Sequence, residues 1–227
     1  MTEPRIVSLL ASATEIVAAL GFRDRLVGRS HECDYPPDLD GLPPLTAPKF
    51  SLDGTSRQID DRVKDLVHNG LAVYHVDEDK LRDLAPTVIV TQDQCQVCAA
   101  SLADVEAAVC TWTGTPARIV SHNPNSLADL MRDFRETAEA LGVPERGEAL
   151  VADVAGRIDA VAERARDLPA KPRVASIEWM DPLFAAGNWM PELIEAAGGI
   201  NLFGEAGVHS GEIEWEPIRA ADPDVIL

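Results

Sequence analysis

Leu81-Arg-Asp-Leu-Ala-Pro86-Thr-Val-Ile-Val90 returns later in the chain as Ile218-Arg-Ala-Ala-Asp-Pro223-Asp-Val-Ile-Leu227. Each copy reads as the end of a helix, a proline that stops it, and a buried strand. Proline cannot donate to the helical ladder, and its ring clashes with the turn before it. The same phrase used twice predicts two related lobes. In the first lobe a further helix and strand follow the phrase. The second copy closes the sequence, so the C-terminal lobe is expected to be incomplete.

Working outward, Arg5-Ile-Val-Ser-Leu-Leu10 is an apolar run of strand length. A helical stretch follows and stops at Gly21. Further strands are expected at 26–30, 72–75, 87–91 and 118–121. Helices are expected at 58–69 and 77–85, and from Ser101, where Ser-x-x-Asp is a capping pattern. Residues 36–58 are rich in proline and glycine and read as loop. Strands alternating with helices imply an α/β fold with mostly parallel, covered sheets.

A second capping pattern, Ser126-Leu-Ala-Asp129, opens a helix to about 141, and Pro144 suits the first turn of another. Val151, Val154, Ile158, Val161, Ala165 and Leu168 then form one apolar seam at helical spacing. From Pro144 to Leu168 such a helix would be on the order of 35 Å long, enough to join two lobes. The alternative is an ordinary packed helix of one larger domain. After Pro172 the first pattern restarts, with Arg173-Val-Ala-Ser-Ile-Glu-Trp179 as the opening strand and Pro191-Glu-Leu-Ile-Glu-Ala-Ala-Gly-Gly199 as the helix and its stop. The expected architecture is therefore two Rossmann-like lobes bridged by one long helix. The N-terminal lobe takes 1–125, the helix and bridging helix 126–170, and the truncated C-terminal lobe 171–227.

The chain of 227 residues is 46% hydrophobic, ample for a core. With 38 carboxylates against 20 Lys and Arg, its net charge of -18 argues against nucleic acid or an anionic membrane as partner. No apolar run is long enough to insert in a membrane. The start of the chain lacks the pattern of a signal peptide. As written the sequence is expected to be cytoplasmic, and periplasmic or cell-surface if the true N-terminus is longer. Its four cysteines are expected to be reduced.

In a parallel α/β sheet, ligands bind beyond the carboxyl ends of the strands. Those positions gather the unusual residues of the chain. Ser12, Thr14 and Glu15 follow the first strand; His31, Glu32, Cys33 and Tyr35 follow the second; Gln92, Gln94 and Cys95 follow the strand of the first repeat. In the second lobe the corresponding loops carry Trp179, Asn188 and Trp189, with Trp215 nearby. Aromatics make up only 5% of the chain, yet three of its four tryptophans lie in the last quarter. Indoles on loops suit a large, flat, partly apolar ligand; the alternative is that they are core residues of a small lobe. His31, Cys33, Cys95 and Cys98 could form a soft-ligand cluster for zinc or iron, although the spacing is not a standard zinc pattern. They could instead hold a thiol-redox pair, or simply line the cleft. No nucleotide fingerprint, phosphate loop or Ser-His-Asp arrangement is present.

Four of these stretches resemble a known family. They are Arg5-Ile-Val-Ser-Leu-Leu-Ala-Ser-Ala-Thr-Glu15, Gly28-Arg-Ser-His-Glu-Cys-Asp-Tyr-Pro36, Thr91-Gln-Asp-Gln-Cys-Gln-Val-Cys98 and Trp179-Met-Asp-Pro-Leu183. Together they look like the cobalamin-binding substrate-binding proteins of ABC transporters, of the class III type with a helical backbone between lobes. The resemblance implies capture of cobalamin or a related corrinoid in the cleft, with no catalysis and no covalent cofactor. It also implies an ABC permease as partner, docked through one acidic residue on each lobe. The repeat places these at Asp79 and Glu216, each seven residues before its proline. The alternative is that both are carboxylates favoured by a helix N-terminus. Two departures stand out: relatives continue past the second copy of the phrase, and periplasmic members carry a signal peptide or lipid anchor. A metal-binding or thiol-redox protein built on His31, Cys33, Cys95 and Cys98 is the competing reading. Siderophore or haem binding is a third, weakened for an anionic siderophore by the few basic residues beyond Arg29.

Overall fold

The computed structural model describes residues 3–69, 73–93 and 117–227. In chain order the elements are β1 (Ile6–Ser8), α1 (Ala11–Ala19), β2 (Leu26–Gly28), β3 (Thr46–Pro48), α2 (Ser56–His68), β4 (Tyr74–Val76), α3 (Glu78–Leu84), β5 (Val88–Gln92), β6 (Arg118–His122), α4 (Leu127–Ala140) and α5 (Pro144–Ala165). They continue with β7 (Arg173–Ala175), β8 (Ile177–Met180), β9 (Leu183–Ala185), α6 (Met190–Ala196), β10 (Ile200–Asn201), β11 (Gly211–Glu212), α7 (Trp215–Ala221) and β12 (Val225–Ile226). The chain divides into two compact units. The first holds Met1–Asp53, Asp61–Asn123 and Asp133–Leu150, and the second holds Gly54–Asp60, Pro124–Arg132 and Val151–Leu227.

The first unit is built on a parallel sheet of order β2-β1-β5-β6. Its central strands are apolar on both faces: Ile6, Val7, Ile89 and Val90 are fully buried, as strands covered on both sides must be. One face packs on Leu45, Val76 and Leu81, the other on Ala13, Val17 and Leu26. Ile16, Leu20 and Ala138 add a third cluster beside Phe134 and Leu150.

The proline phrase folds alike in both units. α3 ends at Leu84 and Ala85 turns left-handed; α7 ends at Ala221 and Asp222 does the same. Pro86 and Pro223 follow, then β5 and β12. Ile6 pairs with Val88 in the first unit and Val174 with Val225 in the second, the same register relative to the two prolines. Leu81 and Ile218, each five residues before its proline, are the buried anchors of their helices.

Several elements differ from the sequence reading. The proline-rich stretch expected as loop contains β3, which pairs antiparallel with β4 in a separate two-stranded ribbon. Leu45 and Val76 bury their side chains in one cluster, and that burial brings the two segments together. α1 starts directly after Leu10, whose carbonyl takes the Thr14 N–H, so Ser12, Thr14 and Glu15 sit in the helix rather than on a free loop. The strand expected over 173–179 breaks at the buried Ser176 into parallel β7 and antiparallel β8.

α4 opens as its capping pattern predicts. The Asp129 N–H donates to Ser126 Oγ at 3.2 Å, and Ser126 donates back to Asp129 Oδ2 at 2.8 Å. The Asn125 N–H and this hydroxyl hold the Asp129 carboxyl below the usual carboxylate range. α5 carries the chain from the first unit into the second over 22 residues, roughly 33 Å. It ends at Ala165, short of the expected Leu168. A Cβ on its Gly147 would lie 2.6 Å from the Ala138 methyl, so only glycine lets α5 approach α4 here. The second unit joins a parallel sheet, β10-β7-β12, to an antiparallel one, β11-β9-β8. Ala175, Leu183 and Ile218 form its core with Ile177, Phe203 and Ile213. Among the described residues no helix is long and apolar enough to cross a membrane.

Candidate functional site

In the first unit the loops at the carboxyl ends of β1 and β2 are tied together by side chains. Thr14 is fully buried and its Oγ1 meets Cys33 Sγ at 3.0 Å. Ser12 and Glu15, on the other face of α1, are exposed. Cys33 is itself buried, and burial pushes its thiol above the ordinary value. Burial thus disfavours the thiolate, the form that a nucleophile or metal ligand needs. Arg29 Nη1 closes the turn between them, donating to the Ser30 and Cys33 carbonyls at 3.1 Å each.

Thr46, the first residue of β3, is the hub of the next turn. Its Oγ1 accepts the His31 backbone N–H at 3.0 Å, lies 2.7 Å from His31 Nδ1, and donates to Ser30 Oγ at 3.0 Å. Ser30 Oγ accepts the Glu32 N–H in turn. The Tyr74 ring meets the His31 ring edge-on at 5.1 Å, and the Tyr74 hydroxyl donates to Glu32 Oε1 at 2.8 Å. Tyr35 is exposed and Gln92 half-buried. Gln94, Cys95 and Cys98 lie outside the described residues. Of the proposed soft-ligand cluster, His31 is thus turned to Thr46 and Cys33 to Thr14. Among the described residues no group of three or more His, Cys, Asp or Glu side chains could hold a metal ion.

The second unit carries the tryptophans. Trp179, in β8, is 37% exposed, its indole N–H donating to the Asp181 carbonyl at 3.1 Å. Asp181 pairs with Arg57. Trp215 opens α7 and is 45% exposed; Trp189 is half-buried at the start of α6. Asn188 has φ +52, and its loop is laced to the one before β11. The Asn188 N–H donates to the Val208 carbonyl at 2.7 Å, the Asn188 carbonyl accepts from Gly207 at 2.9 Å, and the Gly187 N–H donates to Ser210 Oγ at 2.9 Å. Ser210 donates onward to Glu178. A Cβ on Gly187 would stand 2.3 Å from the Val208 carbonyl oxygen, so the two loops meet only through a glycine. Asn188 Oδ1 is buried without a hydrogen-bond partner among the described residues.

Sequence reading missed Thr46, Tyr74, Ser210 and Glu178. Tyr74 had a usable signal, being one of only two tyrosines in the chain. Thr46 and Ser210 had none, because each acts through a partner distant in sequence.

A family described as periplasmic binding protein matches residues 6–227. The vitamin B12-binding protein of Vibrio cholerae is 24% identical over 224 residues, 98% of this chain and 69% of that protein. Among solved structures, the periplasmic haem-binding protein RhuT from Roseiflexus sp. RS-1 has a TM-score of 0.68 and 29% identity, covering 99% of this chain and 76% of the other. The periplasmic vitamin B12-binding protein BtuF of Vibrio cholerae has a TM-score of 0.66 and 19% identity, covering 98% and 75%.

Proposed function

Because the chain belongs to the periplasmic binding protein family, we propose that it captures cobalamin or a related corrinoid for an ABC-type uptake system. It is a substrate-binding protein and not an enzyme. The family also corrects the cytoplasmic location read from the bare start of the sequence, since its members are periplasmic.

The observation that carries the corrinoid reading is the set of exposed aromatic rings in a chain poor in them. Trp179 and Trp215, 37% and 45% exposed, offer flat, apolar surface to a macrocycle. The likeness to a vitamin B12-binding protein across 98% of the chain supports the same ligand class. Haem is the second reading, supported by the 29% identity to a haem-binding protein. Titration with cyanocobalamin and, separately, with ferric haem, followed by tryptophan fluorescence and by equilibrium dialysis, separates the two. Retention of cyanocobalamin at micromolar concentration is expected. Retention of haem alone would transfer the assignment to haem, and retention of neither would overturn both.

Asp79 and Glu216 are proposed as the contacts to the permease. Both are exposed, at 87% and 76%, and each is paired with an arginine three residues on, Arg82 at 3.0 Å and Arg219 at 3.2 Å. A pair of equivalent carboxylates on two equivalent helices supports a partner with two equivalent basic sites.

A further inference from the structure

We infer that His31 is a coordinating ligand for the metal of the captured macrocycle, through Nε2; this rests on the corrinoid reading above. A hydroxyl has one hydrogen and two lone pairs. Thr46 gives its hydrogen to Ser30 and uses one lone pair for the His31 backbone N–H. The contact of 2.7 Å to Nδ1 then has only one available form, Nδ1–H donating to the remaining lone pair. In the neutral ring the lone pair is consequently on Nε2. That nitrogen has no hydrogen-bond partner among the described residues.

The ring is also held still. Its backbone and side chain are pinned to the same oxygen, Ser30 and Thr46 are buried, and the Tyr74 ring stands against it while its hydroxyl is anchored on Glu32. An imidazole with one nitrogen fixed as a donor and the other left bare is the arrangement found where histidine binds a metal. Yet among the described residues no second and third ligand converge with it. A free cation would find one ligand here. A macrocycle that brings its own four equatorial nitrogens needs only one. The step is a ligand substitution on cobalt(III): the Nε2 lone pair forms the Co–N bond, one coordinated water leaves, and cobalt keeps its oxidation state.

Diaquacobinamide is the probe, because both of its axial positions carry replaceable water. The full chain is mixed with it, and retention by dialysis is read alongside the absorption spectrum. The expected result is one macrocycle retained per chain, with the spectrum moved from water-ligated to imidazole-ligated. Dicyanocobinamide, whose axial positions are filled, should show no such change. With His31→Ala, whatever fraction is retained should keep the water-ligated spectrum. Thr46→Val keeps the imidazole but removes its support, and should weaken the spectral transition about 10- to 100-fold. Retention by the wild type without the spectral change overturns the inference alone, as does a change that survives His31→Ala. A wild type that retains cyanocobalamin but no cobinamide also overturns the inference alone, and one that retains neither overturns the corrinoid reading and the inference together.

Discussion

Ala85 and Asp222 hold the same left-handed backbone, at φ +43 and +46, and each ends a seven-residue helix just before a proline. Neither is glycine, the residue that this conformation favours. Arg5 and Arg173 stand at matching places beside them: Arg5 Nε donates to the Leu84 carbonyl at 2.8 Å, and Arg173 Nη1 to the Asp222 carbonyl at 3.3 Å. The Arg5 N–H meets Thr87 Oγ1, and the Arg173 N–H meets Asp224 Oδ2.

Relieving this backbone should stabilise the protein. Ala85→Gly is expected to gain roughly 0.5–1 kcal/mol, the left-handed penalty of alanine less the greater chain entropy of glycine. Asp222→Gly should gain less, because aspartate tolerates this region better than alanine does. Urea unfolding of the three proteins checks the order, and a loss in Ala85→Gly would contradict it.

Charge reversal at Asp79 and Glu216 should separate binding from delivery. Asp79→Lys with Glu216→Lys is expected to leave corrinoid retention within about twofold of wild type and to cut permease-dependent uptake at least tenfold, a loss on the scale of breaking charge pairs at an interface. Each single change should give a smaller loss. Unchanged uptake in the double variant would remove these residues from the docking surface.

His122 predicts a loss of stability in acid. It is 2% exposed, and its Nε2–H donates to Thr137 Oγ1 at 2.8 Å, because the Thr137 hydroxyl already donates to the Asp133 carbonyl at 2.8 Å. Burial lowers its pKa from 6.5 to about 4. Between those values the unfolded chain takes up a proton that the folded chain refuses. The contribution is therefore present above pH 6.5 and is lost as pH falls toward 4, by about 3 kcal/mol in all. His122→Asn should flatten the pH dependence of urea unfolding across that interval by up to one proton. An unchanged slope would show that His122 is not the group responsible.

The parts of this fold that were legible in sequence are those coded locally. A proline after a helix and an apolar run after the proline report on ten adjacent residues, so the positions of α3, β5, α7 and β12 could be read directly. The Ser126–Asp129 cap was legible for the same reason. The β3–β4 ribbon was not, because Thr46 and Val76 are paired across thirty residues of chain and β3 ends in Pro48 with no alternating pattern. The site suffered most from this. His31 and Cys33 looked like neighbours in one cluster, but their turn sends one to Thr46 and the other to Thr14. Which hydroxyl each would meet depends on strands that sequence spacing does not bring together.

The Thr14–Cys33 contact has a practical side. In an oxidising compartment an accessible thiol is soon cross-linked or oxidised. Cys33 is 4% exposed, so water and oxidants reach the sulfur poorly, and burial disfavours the thiolate they would attack. Alkylating reagents should therefore leave it untouched until the first unit opens, which makes its labelling rate a clock for that opening.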